Sequence, residues 1–171
     1  MIGRILVVTL VLVTTALMQT SLVPFLALGG YRPDLLLLVT IAFALRDGLL
    51  PGLRIGFAAG LLSDLLRNQS PVGLTALVFV GVVYAIGIAR PYLATDSLTA
   101  PLLLASIGTL LGVGGYGVLG SVMGETPFSF DTIIQASIVS AVYATLLAPF
   151  VFAAVRFLTS QFPVETAPRP S

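Results

Sequence analysis

Six apolar runs fill almost the whole chain, at residues 5–28, 33–45, 50–66, 72–89, 98–124 and 131–160. A helix that crosses a bilayer needs about 20 mostly apolar residues, within a range of roughly 17–25. Such runs cannot be the half-buried elements of a soluble globule, which must turn a polar face to water. The charge content agrees: 9% of residues are charged and 57% apolar, with a mean hydropathy of +1.09, whereas soluble domains carry about 25% charged residues. Eight arginines and seven acids do not cover a globule of 171 residues. The expected fold is an all-α integral membrane protein, a single six-helix transmembrane domain over residues 1–160.

The second and third runs are short. Arg46-Asp47-Gly48 and Pro51-Gly52 separate them, and glycine with proline punctuates helices. They form either two spans or one re-entrant hairpin. Arg4 ahead of a long apolar run resembles the start of a signal peptide, but Val23–Leu28 lacks a small-x-small cleavage pattern. The first run is therefore expected to be a retained span. With the N-terminus in the cytoplasm, Arg4, Arg46, Arg54, Arg90, Arg156 and Arg169 fall inside, and Arg32 and Arg67 outside. That is the direction of the positive-inside rule, and it predicts an N-in, C-in chain with the first five as topology anchors. Asp47 is expected to pair with Arg46 or Arg54. Residues 161–171, with three prolines and little to bury, are expected to be a disordered cytoplasmic tail.

Absent residue types narrow the chemistry. Without His and Cys the usual zinc ligand sets and disulfides cannot be built. Without Lys there is no Schiff base and no phosphate-binding lysine. A net charge of +1 argues against nucleic acid. A membrane phosphotransferase would want clustered acids, yet Asp34, Asp47 and Asp64 lie apart, with Asp47 on the opposite side from the other two. No enzyme activity, metal or cofactor is expected.

Pro33-Asp34 opens the second run. Proline suits a first helical turn, and aspartate there caps orphan amides; Asp34 is otherwise a contact to an extracytoplasmic partner, with Arg32 beside it. Gly52, Gly56 and Gly60 recur at four-residue spacing on the third run and Asp64 follows, so all four share one helix face. A glycine stripe lets helices approach closely in lipid, either within this chain or against another protein's helix. Asp64 near the end of its run suggests an ion pair with Arg67, or else a structural lock or a ligand contact. Gln19, late in the first run, is a candidate for a hydrogen bond across helices, worth about 0.6 kcal/mol. The fifth run holds seven glycines, from Gly108 to Gly124, and must be closely packed or irregular.

In order and spacing these features resemble the rod shape-determining protein MreD family. The resemblance covers roughly Ile5 to Leu158 and rests on Gln19, Pro33-Asp34-Leu35-Leu36-Leu37, Gly48 with Gly52, the segment Gly56–Leu65 and Gly73. It implies a fold similar to the six-helix S components of energy-coupling-factor transporters. It also implies a non-catalytic scaffold in the bacterial inner membrane, binding the single-span protein MreC. MreB, RodA and its penicillin-binding transpeptidase would be indirect partners in cell-shape control and lateral peptidoglycan synthesis. Under this reading Gly56 and Gly60 lie at or near a groove for the MreC span, and Asp34 and Asp64 order the extracytoplasmic ends beneath its outer domain. The alternative for a chain of this size is a vitamin-binding S component.

Overall fold

The computed structural model describes residues 2–21, 25, 32–67, 72–90, 99–124 and 129–160. The secondary structure there is helical, with no strand among the described residues: α1 (Ile2–Ser21), α2 (Leu35–Asp47), α3 (Leu49–Leu66), α4 (Leu74–Ala89), α5 (Thr99–Val122) and α6 (Phe130–Thr159). Most boundaries fall within two residues of the apolar runs. The exception is the first run, whose helix ends at Ser21; its residues 22–24 and 26–28 lie outside the described residues, as do Leu98, Arg169 and the expected tail at 161–171.

A helix that is apolar all round is suited to burial, and Leu35–Ala44 of α2 carries only Thr40 as a polar side chain. In α2 every residue from Leu36 to Ala44 is buried, and α2 touches all five other helices. Its side chains Leu36, Ile41 and Phe43 join Phe79 of α4 and Ala59 of α3 in the main core. The remaining helices wrap this strut and turn their own apolar faces outward. Leu10 is 65% exposed and Phe150 74%, which is acceptable where the solvent is lipid and a liability in water.

Among the described residues four helices are long and apolar enough to cross a membrane: Gly3–Ser21, Leu49–Leu66, Thr99–Val122 and Phe130–Thr159. This makes the chain a membrane protein. By length alone, four of the six expected spans meet this criterion among the described residues. The 13 residues of α2 rise about 20 Å against a hydrocarbon core of about 30 Å, and the 16 of α4 about 24 Å. The third run, read as short, meets the criterion as α3.

A single residue, Gly48, joins α2 to α3 with φ 91° and ψ −176°. That region is open essentially to glycine alone, so the chain reverses within one residue and lays α3 back along α2. The glycine face of α3 then meets its neighbours. A Cβ on Gly60 would lie 2.3 Å from the Ala76 Cα of α4, and one on Gly52 would lie 3.0 Å from the Ala44 Cα of α2. Gly56 faces Thr40 of α2 and Val83 of α4. The stripe Gly52, Gly56 and Gly60 thus packs against this chain's own helices, the first of the two alternatives its spacing offered. The glycine-rich α5 is closely packed in the same way: Gly108 seats Ile41, Gly112 seats Leu37 and Gly117 seats Ile133.

Candidate functional site

At the end of the bundle where α1 and α3 finish, α2 and α4 begin. A helix start leaves backbone N–H groups without partners, and here side chains from the finishing helices supply them. Gln19 of α1 accepts from the Leu35 N–H (2.7 Å) and donates to the Pro33 carbonyl (3.3 Å). Asp34 accepts from the Leu37 N–H (3.0 Å), capping its own helix. One turn of helix is therefore held from both sides, and Pro33 itself is buried.

Asp64 does the same for α4. It is 1% exposed and accepts from the N–H groups of Gly73 (2.8 Å) and Thr75 (3.1 Å). Gly73 precedes the helix in the left-handed region at φ 101°. The positive end of α4 and two charge-assisted hydrogen bonds offset the desolvation of the carboxylate. The expected Asp64–Arg67 ion pair is not what forms. Arg67 reaches Asp34 instead, at 3.7 Å, and lies over the Tyr116 ring at 4.7 Å. The physical reason is burial: Asp64 points into the α3–α4 seam, while Arg67 leaves the helix at its C-cap and turns toward α2 and α5. Desolvation lowers the pKa of Arg67, but Asp34, the Tyr116 hydroxyl and Asp64 outweigh it and raise the pKa above its ordinary value.

Of these groups Gln19, Asp34 and Arg67 border a cavity of about 570 Å³, whose walls also include Thr75, Tyr116 and Ser140. Thr75, Tyr116 and Ser140 were not singled out from the sequence. Tyr116 carried a faint signal, as a lone aromatic within the glycine-rich run; the hydroxyls of Thr75 and Ser140 carried none. Both Asp34 and Asp64 are engaged with helix amides, and among the described residues no group of three acidic side chains gathers as a metal would require.

The opposite end is built from arginines. Arg4 of α1 pairs with Asp47. Arg46 lies 3.7 Å from Asp47 and donates to the carbonyls of Val155 (3.2 Å), Arg156 (3.0 Å) and Thr159 (3.0 Å) and to the Thr159 hydroxyl. It thus caps the C-terminus of α6, where a cation also meets the negative helix end. Of the two partners expected for Asp47, Arg46 is present and Arg54 is not; Arg4 takes the closer place. Arg54 and Arg156 are exposed, and Arg90 reaches to within 3.7 Å of where a Gly48 Cβ would stand.

Of the residues that carried the sequence resemblance, Gln19, Pro33-Asp34, Asp64 and Gly73 therefore meet at one end of the bundle, each at a helix terminus. A family model described as rod shape-determining protein MreD matches residues 1–158. The chain belongs to the MreD family. The match runs from the N-terminus to one residue short of the end of α6, so it takes in both polar ends and the buried α2. Family membership points to a role in rod-shape determination, in a family of shape-determining structural proteins. No curated protein and no solved structure matches the chain.

Proposed function

We propose that this chain is a non-catalytic scaffold of the bacterial cell-elongation machinery, held in the inner membrane and binding MreC. The family match over residues 1–158 carries the reading. The geometry supports it, because the conspicuous polar groups are spent on joining helices: Gln19 and Asp34 on α2, Asp64 on α4, Arg46 on α6. In this reading all six helices span, N-in and C-in, in an arrangement like that of the energy-coupling-factor S components. Residues flanking α2 and α4 complete their crossings. Arg4, Arg46, Arg54, Arg90 and Arg156 then mark the cytoplasmic face. The cap cluster and cavity face outward, where the exterior domain of MreC lies. With the glycine stripe of α3 filled from within, the MreC span docks on an outward apolar face of the bundle. MreB, RodA and its transpeptidase partner act through that contact on lateral peptidoglycan synthesis.

The test is depletion and capture in a rod-shaped bacterium that carries the gene. Depletion should round the cells, and the tagged full chain should bring down MreC. Unchanged rods together with absent MreC would refute the scaffold. Co-purification of a vitamin with an ATPase-linked energising module would favour an S component instead.

A further inference from the structure

We propose that the cavity at the capped end is a binding site for a small organic anion, a carboxylate or phosphate carried on a mostly apolar body. Its volume of about 570 Å³ lies within the range of small-molecule pockets, about 300–1,000 Å³. Its floor is apolar, with Leu37, Val78 and Phe79. Its rim carries two guanidiniums, Arg32 and Arg67, against the single carboxylate of Asp34. That carboxylate is already engaged by the Leu37 N–H and by Arg67, so a negative group, not a positive one, completes the site. A guanidinium stacked on a ring presents its N–H edge, the geometry that recognises carboxylate and phosphate.

A second observation points the same way. Thr75 borders the cavity, is 2% exposed, and its hydroxyl has no hydrogen-bond partner. Buried hydroxyls are nearly always paired, and an anion oxygen in the cavity is a partner to which this one would donate. At the level of the helix ends the anion can come from an acidic lipid headgroup or from a soluble molecule. The chemistry is shared.

The site is tested on the purified full chain in dodecyl maltoside, so loss of MreC capture would leave it standing. The chain has no tryptophan, and Val113→Trp places a single reporter on the cavity wall. Phenyl phosphate should change its emission saturably, while benzyl alcohol, a neutral control, should not. Calorimetry on the unsubstituted chain should give the same affinity. Arg67→Gln should weaken binding at least about tenfold, with partial recovery in Arg67→Lys. Thr75→Val should weaken it several-fold without lowering the melting temperature, which a purely structural hydroxyl would not do. Phosphatidylglycerol that displaces phenyl phosphate would assign the site to a lipid headgroup, and failure to displace would assign it to a soluble anion. Three results would overturn the proposal: no saturable heat with phenyl phosphate or phosphatidylglycerol, equal affinity for benzyl alcohol, or unchanged binding in both Arg67→Gln and Thr75→Val.

Discussion

Replacing Gly60 with alanine adds one methyl group where the backbones of α3 and α4 come closest among the described glycines. The new Cβ would stand 2.3 Å from the Ala76 Cα, 2.6 Å from the Ala76 nitrogen and 2.9 Å from the Thr75 carbonyl carbon. All three are backbone atoms, so no side chain can swing away. Ordinary contact begins near 3.4 Å, and α4 must retreat by about 1 Å to reach it. That retreat also stretches the two bonds from Asp64, now 2.8 and 3.1 Å, to or beyond the hydrogen-bond limit. Overpacking costs about 1–3 kcal/mol, and each bond to a charged acceptor is worth about 1.5–3 kcal/mol when lost outright. The better helix propensity of alanine returns about 1 kcal/mol. Because the strain is shared among these, the expected net loss is about 2–5 kcal/mol, a large part of a typical folding free energy of about 5–15 kcal/mol. The matched control is Gly81→Ala on α4, where an added Cβ meets nothing within 4 Å; it should be neutral or stabilising by up to about 1 kcal/mol. Both are measured by unfolding in mixed micelles with increasing dodecyl sulfate, followed by circular dichroism. A Gly60→Ala protein within about 0.5 kcal/mol of the parent, or no less stable than Gly81→Ala, would show that the α3–α4 approach is not what the structure describes.

Asp64→Asn keeps the size of the side chain but removes its charge and sets an NH2 against one of the two N–H donors, and should lower stability by about 1.5–3 kcal/mol. Asp131→Asn, an exposed acid in the first turn of α6, should cost only about 0.3–1 kcal/mol; equal losses in the same unfolding assay would contradict the buried cap. Arg46→Lys keeps the charge but cannot reproduce the fork that meets three carbonyls and the Thr159 hydroxyl. Amide exchange over Val155–Thr159 should quicken, and unaltered protection there would mean that Arg46 does not hold the end of α6.

Much of this protein is written in local pattern. Apolar run length and low charge require helices in lipid, since a bilayer accepts only backbone that satisfies its own hydrogen bonds. Pro33-Asp34 marks a helix start because capping is a property of neighbouring residues, and Asp34 does cap α2. The four-residue glycine spacing likewise fixes which side of α3 is smooth. Partner choice is a different kind of information. Nothing local to Asp64 says that it reaches forward to Gly73 and Thr75 while Arg67, three residues on, crosses to Asp34 and Tyr116. The same holds for Arg46, which looks like a charge at a membrane face and instead binds carbonyls more than 100 residues away. The apolar runs that opened the reading are thus determined by sequence alone as helices for lipid, through length and composition. Tertiary structure decided that α2 becomes a buried strut, that the glycine face of α3 is filled from within, and that groups from six helices line one cavity. The physical reason is that burial and pairing are set by what the rest of the chain brings alongside each residue.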